Sequence, residues 1–351
     1  MRRLLAAAAV LLTLVAPATA QVVTPSEILR SSVHNVLRPG MKVFALRSAA
    51  LEDAMTGLCA TPSDETFATA RLAFADAATA YGRIESVRIG PLMEDNRSDR
   101  LLFWPDRRGI GLRQVQAALA TEDASATALD TLQQKSVAQQ GFGALEFVLF
   151  GTGAETLATG SEYRCAYGAT IAANISIIAN DLVAGWADPE GIATHLTAPD
   201  PSYIDYRTQT EALEGIVGLV AHGVETVRDA RLLSFISRDG SAPNPKQALF
   251  WRANLTFAMI RANLEGMAQL VRLSGIAAGT DLETEIETAF ADAFTALDAL
   301  SLPVSEAVTD PGHMAALESL VTATQTLQTL IGEKLSASLG LSVGFSSLDG
   351  D

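Results

Sequence analysis

Apolar residues recur along this chain at intervals of three and four, in long segments rich in Ala and Leu, and the strict alternation of a half-buried strand is scarce. The pattern predicts an all-α fold. Long helices are expected at about 40–59, 164–187, 208–235, 246–275, 281–299 and 310–337. Ser63-Asp64-Glu65 after Pro62 has the chemistry of a helix start, and Phe67, Leu72, Phe74 and Ala78 carry the apolar stripe toward Tyr81. Pro39-Gly40, Gly90-Pro91, Pro199 with Pro201, and Pro243 with Pro245 punctuate the segments. Helices of this length build antiparallel bundles. A stretch of low periodicity near 190–207 divides the chain into an N-terminal helical bundle, 21–195, and a C-terminal one, 196–351. One tripeptide, Leu102-Phe103-Trp104, returns as Leu249-Phe250-Trp251, once in each part.

The first twenty residues follow a different grammar. Arg2 and Arg3 precede an apolar run from Leu4 to Val15, and Ala18-Thr19-Ala20 stands before Gln21, the three-part layout of a secretory signal peptide. The run is shorter than the roughly 20 residues a membrane span needs, and no Cys follows the cleavage site to carry a lipid. The expected product is a periplasmic protein beginning at Gln21, without a membrane span after cleavage. Formal net charge is −15, from 25 basic against 40 acidic residues. Such a surface repels phosphate backbones, which argues against nucleic acid as a partner, and attracts cations; a plain solubility device is the competing explanation. Export also bears on the two cysteines, Cys59 and Cys165, for which pairing is the default in an oxidising compartment. Two buried free thiols are the alternative.

Chemistry is sparse. Glu146 lies among Phe142, Leu145, Phe147, Val148, Leu149 and Phe150, which cover most of a helix circumference. A carboxylate buried there must be paired, hydrogen-bonded or protonated. It is either a site residue or one end of an internal ion pair with an arginine. Gly90-Pro91 opens a second block that contains Asn96, Arg97, Arg100 and Phe103-Trp104-Pro105. Arg97 and Arg100 share a helical face, so either could reach Glu146 if the block folds over it, with Trp104 stacking as cover. An ordinary solvated charged turn is the competing explanation. Arg252 and Asn254, beside Trp251, occupy the counterpart of the Trp104 region in the second half. Arg261 and Glu265 have the spacing of a simple surface ion pair.

Four histidines limit any metal site: His34, His195, His222 and His313. His222 and Glu225 have a His-x-x-Glu spacing, yet both fall off the stripe of Ile216, Leu219, Val220 and Val227, which predicts a solvated face. There is no His-Glu-x-x-His helix, Walker loop or Rossmann glycine pattern.

The run Gly141-Phe142-Gly143-Ala144-Leu145-Glu146 resembles the Gly-x-His-x-x-Glu signature of the imelysin family, with Gly143 where the family has histidine. Further points of resemblance are the Asn-Arg to Trp-Pro block, the Tyr163-Arg164-Cys165-Ala166-Tyr167 segment and the tail from Gly344 to Asp351. The resemblance implies two helical bundles in a pseudo-symmetric relation with a site at their junction. It also implies a link to iron or other metal acquisition in the bacterial envelope, and hence a divalent metal or iron as cofactor. A non-catalytic binding protein for a small polar ligand or an envelope protein partner is the first expectation, with Glu146, Asn96, Arg97, Arg100, Trp104, Arg252 and Asn254 as ligand-binding candidates. The second is a metal-dependent peptidase, since the family is named for such an activity. Gly143 removes its histidine, leaving Glu146, His222 and Glu225 as metal candidates.

Overall fold

The structure, a computed structural model, describes residues 23–341 except 107 and 237–240. The signal segment and the tail from Gly344 lie outside the described residues. Within them the fold is all-α, with no strand. Helices α1 (Pro25–Ser31), α2 (Arg38–Ala60) and α3 (Asp64–Gly82) lead into a loop-rich stretch that contains α4 (Ile110–Thr121) and α5 (Phe142–Phe150). The long α6 (Glu162–Ala187) follows, and α7 (Gln209–Thr226), α8 (Thr256–Ser274), α9 (Glu283–Asp298) and α10 (Pro311–Gln328) complete the chain's main helices.

Local chemistry sets the starts. The Ser63 hydroxyl accepts from the Thr66 N–H while the Thr66 hydroxyl accepts from the Ser63 N–H, a reciprocal capping box, and Asp64 and Glu65 meet the positive end of the helix. Asp310 caps α10 through the His313 N–H, with Pro311 fixing the first turn. Thr208 caps α7 in the same way through Glu211.

Packing then sorts the helices. In the first half α2 lies between α3 and α6, and the short α5 rests on α3, α4 and α6. In the second half α9 pairs with α10, and α7 packs on α8 and α10. Among the described residues α6 is the one helix long and apolar enough to cross a membrane, and half of its most apolar stretch is buried inside the fold. The two halves share one continuous core. N-terminal α1 packs on α7 and α8, and α8 packs on α3. Where they cross, a Cβ on Gly266 would collide with the Arg83 carbonyl, so only glycine permits that approach. The Asn263 Nδ2 group donates to the Gly82 carbonyl at 2.8 Å and to Glu85 at 2.9 Å, and Arg231, 4% exposed, pairs with the same Glu85. Arg261 and Glu265 do not pair along α8. Arg261 reaches Asp298 and Glu265 reaches Arg83 at 2.6 Å, so each spends its charge on a neighbouring element.

One expected helix starts late. The segment 246–255 is not helical: Phe250 and Asn254 have φ of 54° and 55°, left-handed values that a helix cannot contain. Pro245 begins a single 3-10 turn, and the chain then loops, with the Leu255 N–H bonded to the Phe250 carbonyl at 3.1 Å and the Thr256 hydroxyl to the Leu249 carbonyl at 2.8 Å. The loop carries Phe250 into the aromatic cluster of the first half, 5.5 Å from Phe74 and 6.5 Å from Phe142 between ring centroids.

Cys59, in the last turn of α2, is disulfide-bonded to Cys165, in the first turn of α6, with Cα atoms 5.6 Å apart. The bond closes a loop across 106 positions of sequence. On loop-closure entropy it stabilises by about 4 to 5 kcal/mol. Replacing both cysteines by serine should lower the unfolding free energy by about that amount in urea titration. An unchanged midpoint would contradict it.

Candidate functional site

A cavity of about 490 Å³ lies between the two halves. Phe103 and Trp104 line it from the first tripeptide copy, and Leu249, Phe250 and Trp251 line it from the second. Helix α5 contributes Gly143, Glu146 and Phe147 to the same wall.

Glu146 is 5% exposed. Its Oε1 accepts the backbone N–H of Arg252 at 3.0 Å and of Ala253 at 3.2 Å, and its Oε2 faces the Arg252 guanidinium, Nη1 at 3.5 Å. The positive φ values at Phe250 and Asn254 bracket a tight turn that aims both N–H groups at the carboxylate. Burial pushes the Glu146 carboxyl above the ordinary carboxylate range, opposed by the Arg252 charge and by the hydrogen bonds from Ala253 and Arg252. The Arg252 guanidinium lies over the Trp251 ring at 4.5 Å and near Phe147 at 5.4 Å, so two aromatic faces hold its plane.

Of the candidates named from sequence, Glu146, Trp104 and Arg252 meet at this cavity. Asn254 is exposed and shapes the turn without lining the cavity. Arg97 is taken up locally by the Pro91 carbonyl at 2.9 Å, Glu94 at 3.0 Å and Asp95 at 3.1 Å, with Asp181 of α6 at 3.8 Å. Asn96, in the left-handed conformation, precedes that turn and is exposed. Arg100 donates to Gln140 at 3.0 Å and Asn174 at 3.1 Å, bracing the entry of α5 against α6. Neither arginine bonds to Glu146, and Arg252 fills that role. His222 stands 3.7 Å from Glu225, whose side chain is 9% exposed. Burial of Glu225 departs from the solvated face expected of it: α7 is packed by α1, α8 and α10, and its residues from Ile216 to Ala221 and from Gly223 to Glu225 are buried on nearly every face. A π-helical turn, Val227–Leu232, follows α7.

That turn places Asp229 on the cavity wall, which Lys246 and Asp106 also line. Lys246 escaped notice because 246–275 reads as one helix, and Asp106 because its carboxylate serves the backbone, accepting the N–H groups of Ile110 at 2.8 Å and Leu112 at 3.0 Å. Its place four residues before an apolar helical run was the available signal.

A metal ion implied by the family resemblance finds no suitable donor set here. Glu146 has one oxygen saturated by N–H donors and offers only Oε2, beside a guanidinium, Asp106 is engaged as above, and Asp229 is chelated by Arg228 at 2.8 and 3.0 Å, so at most one free donor remains. Among the described residues no group of three His, Cys, Asp or Glu side chains is arranged to hold a metal.

An all-helical scaffold with a cavity between its halves and a buried carboxylate on a short apolar helix defines the class. The imelysin family model, peptidase M75, matches residues 39–331, and the chain belongs to the imelysin family. An imelysin-like protein from Psychrobacter arcticum superposes with a TM-score of 0.74 at 20% identity, covering 93% of this chain and 100% of that one. A protein from Parabacteroides distasonis that carries the name iron-regulated protein A precursor gives 0.69 at 16% identity, covering 88% and 95%. At these identities the likeness speaks for the fold. No curated protein matches the chain significantly.

Removing the Glu146 carboxylate leaves two N–H donors and a guanidinium facing each other. Glu146→Ala should destabilise by about 3 to 5 kcal/mol, the usual effect of breaking a buried pair, whereas Glu146→Gln retains an acceptor oxygen and should cost less. The pH dependence has a definite sign. An acid whose folded pKa is raised contributes stability below its unfolded value and loses it as pH rises through the folded value. Wild type should therefore lose stability relative to Glu146→Gln as pH climbs above about 4.5. Urea midpoints across that range test it, and parallel profiles would show that Glu146 titrates normally.

Proposed function

We propose that this protein is an exported, non-catalytic binding protein of the bacterial envelope, working in metal acquisition, whose cavity between the halves holds a small polar organic ligand. The observation that carries this reading is the environment of Glu146: a carboxylate engaged by Arg252 and Ala253, beside open space at Gly143. A Cβ built on Gly143 would meet no atom within 4 Å, so the position where the family's histidine belongs opens into the cavity. The motif's scaffold is kept and its imidazole is replaced by room for a ligand. The signal-like N-terminus supports export, and the name of the Parabacteroides neighbour supports the connection with iron.

Stripping the protein of metal and titrating it with iron, zinc and calcium tests the choice against a metal-dependent peptidase. The binding-protein reading predicts no tight stoichiometric uptake, and one equivalent bound tightly with concurrent peptide hydrolysis would establish the alternative. Restoring the lost side chain provides a second check. Gly143→His places an imidazole one helical turn before Glu146 in open space, and should raise affinity for zinc by about tenfold or more, a difference of at least about 1.4 kcal/mol. A folded variant with wild-type zinc affinity would show that the position is not a lapsed ligand.

A further inference from the structure

The charges inside the cavity select among small polar ligands. Glu146 has one free direction. Its Oε1 already accepts two N–H groups, but its Oε2 meets only Arg252 Nη1, and at 3.5 Å that contact is at the outer limit of a hydrogen bond. Arg252 mirrors this, since Glu146 is the only polar partner of its side chain among the described residues and its plane is held by Trp251 and Phe147. The pair is thus long and single-stranded, with a carboxylate lone pair and guanidinium N–H donors left over on the same cavity wall. Exposed Lys246 adds a second positive charge to the lining. The other two carboxylates of the lining are engaged, Asp106 by the Ile110 and Leu112 N–H groups and Asp229 by Arg228.

A ligand with one charge fits this arrangement badly. A simple anion would approach Arg252 and Lys246 but meet the buried Glu146 carboxylate beside them, and a simple cation drawn to Glu146 would meet Arg252. A molecule with both charges a few ångströms apart satisfies each. Resting on the binding reading above, we propose that the ligand is a free α-amino acid with a large apolar side chain. Its ammonium group donates to Glu146 Oε2 from the open space at Gly143. Its carboxylate takes the uncommitted donors of Arg252 and the Lys246 ammonium, a charge-assisted contact of the kind guanidinium makes well. The side chain lies against Phe103 and Trp104, the former 39% exposed although it faces the cavity. Volume agrees: about 490 Å³ lies within the range of small-molecule pockets.

The test is calorimetric titration of the full mature protein with L-phenylalanine, L-tryptophan and L-leucine, beside two half-ligands. Phenethylamine lacks the carboxylate and 3-phenylpropionate lacks the ammonium. At least one amino acid should bind, with both half-ligands of the same side chain at least tenfold weaker. Lys246→Ala, at an exposed position where folding is not at stake, should weaken the amino acid several-fold and leave phenethylamine unchanged. A half-ligand binding as tightly as the amino acid, or a Lys246→Ala variant that weakens both equally, would overturn the zwitterion assignment. Di- and tripeptides and a panel of other small polar compounds, followed by Trp fluorescence, separate the two levels of the claim. If one of those binds and no amino acid does, the ligand class is wrong and the binding reading stands. If no organic compound binds while iron or zinc binds stoichiometrically, the binding reading itself fails.

Discussion

The structure turns on a carboxylate that would be untenable alone. Glu146 sits in a helix that is apolar on nearly every side and is only 5% exposed, so water reaches it from the cavity alone. What makes it stable is a loop from the other half of the chain, which turns twice through left-handed backbone to present the N–H groups of Arg252 and Ala253. That one acceptor fixes where the 250–254 loop can lie. Phe250 then enters the aromatic cluster of Phe74 and Phe142, and Trp251 and Arg252 are left facing the cavity. The cavity follows from the clasp: the loop is drawn onto α5 at one point, and the space around that point remains between the halves.

Glycine decides how that space is used. In a histidine-bearing version of the motif the imidazole would enter the cavity from the Gly143 position and share Glu146 with whatever is bound. Here the carboxylate is committed on one oxygen to the loop, and the empty position beside it enlarges the cavity. The same residue that gives the family its recognisable helix therefore serves in this chain as a structural tie with one direction still open to a ligand.

Much of the fold was legible because its signals are local. Capping at Ser63 and the apolar spacing of α2, α6, α9 and α10 depend on residues a few positions apart; α2, α6 and α9 lie within a few residues of expectation, and α10 reaches the expected end only through a π turn, Thr329–Leu335, and the short helix Ser336–Ser338. The cysteine pair followed from the redox setting implied by export, and the bond joins α2 to α6. Loop 246–255 was illegible for a physical reason: its composition favours helix, and what offsets its left-handed residues is distant in sequence, the Glu146 carboxylate that accepts two of its N–H groups and the aromatic cluster that takes Phe250. The partners of Arg97 and Arg100 were hidden likewise, since sequence spacing places them on one face but does not say that acids of their own turn and the amides of Gln140 and Asn174 stand closer than Glu146. Phe103 and Trp104 of one tripeptide and Leu249, Phe250 and Trp251 of the other line one cavity, a proximity that spacing alone does not foretell.

The clasp is open to direct observation through amide hydrogen exchange at Arg252 and Ala253, read residue by residue. Backbone N–H groups in an irregular loop exchange quickly unless something buried accepts from them. If Glu146 holds the 250–254 loop as described, both amides are protected to the level of the neighbouring core helices, although no secondary structure contains them. Exchange at these two positions as fast as at the exposed turn residue Asn254 would contradict the account.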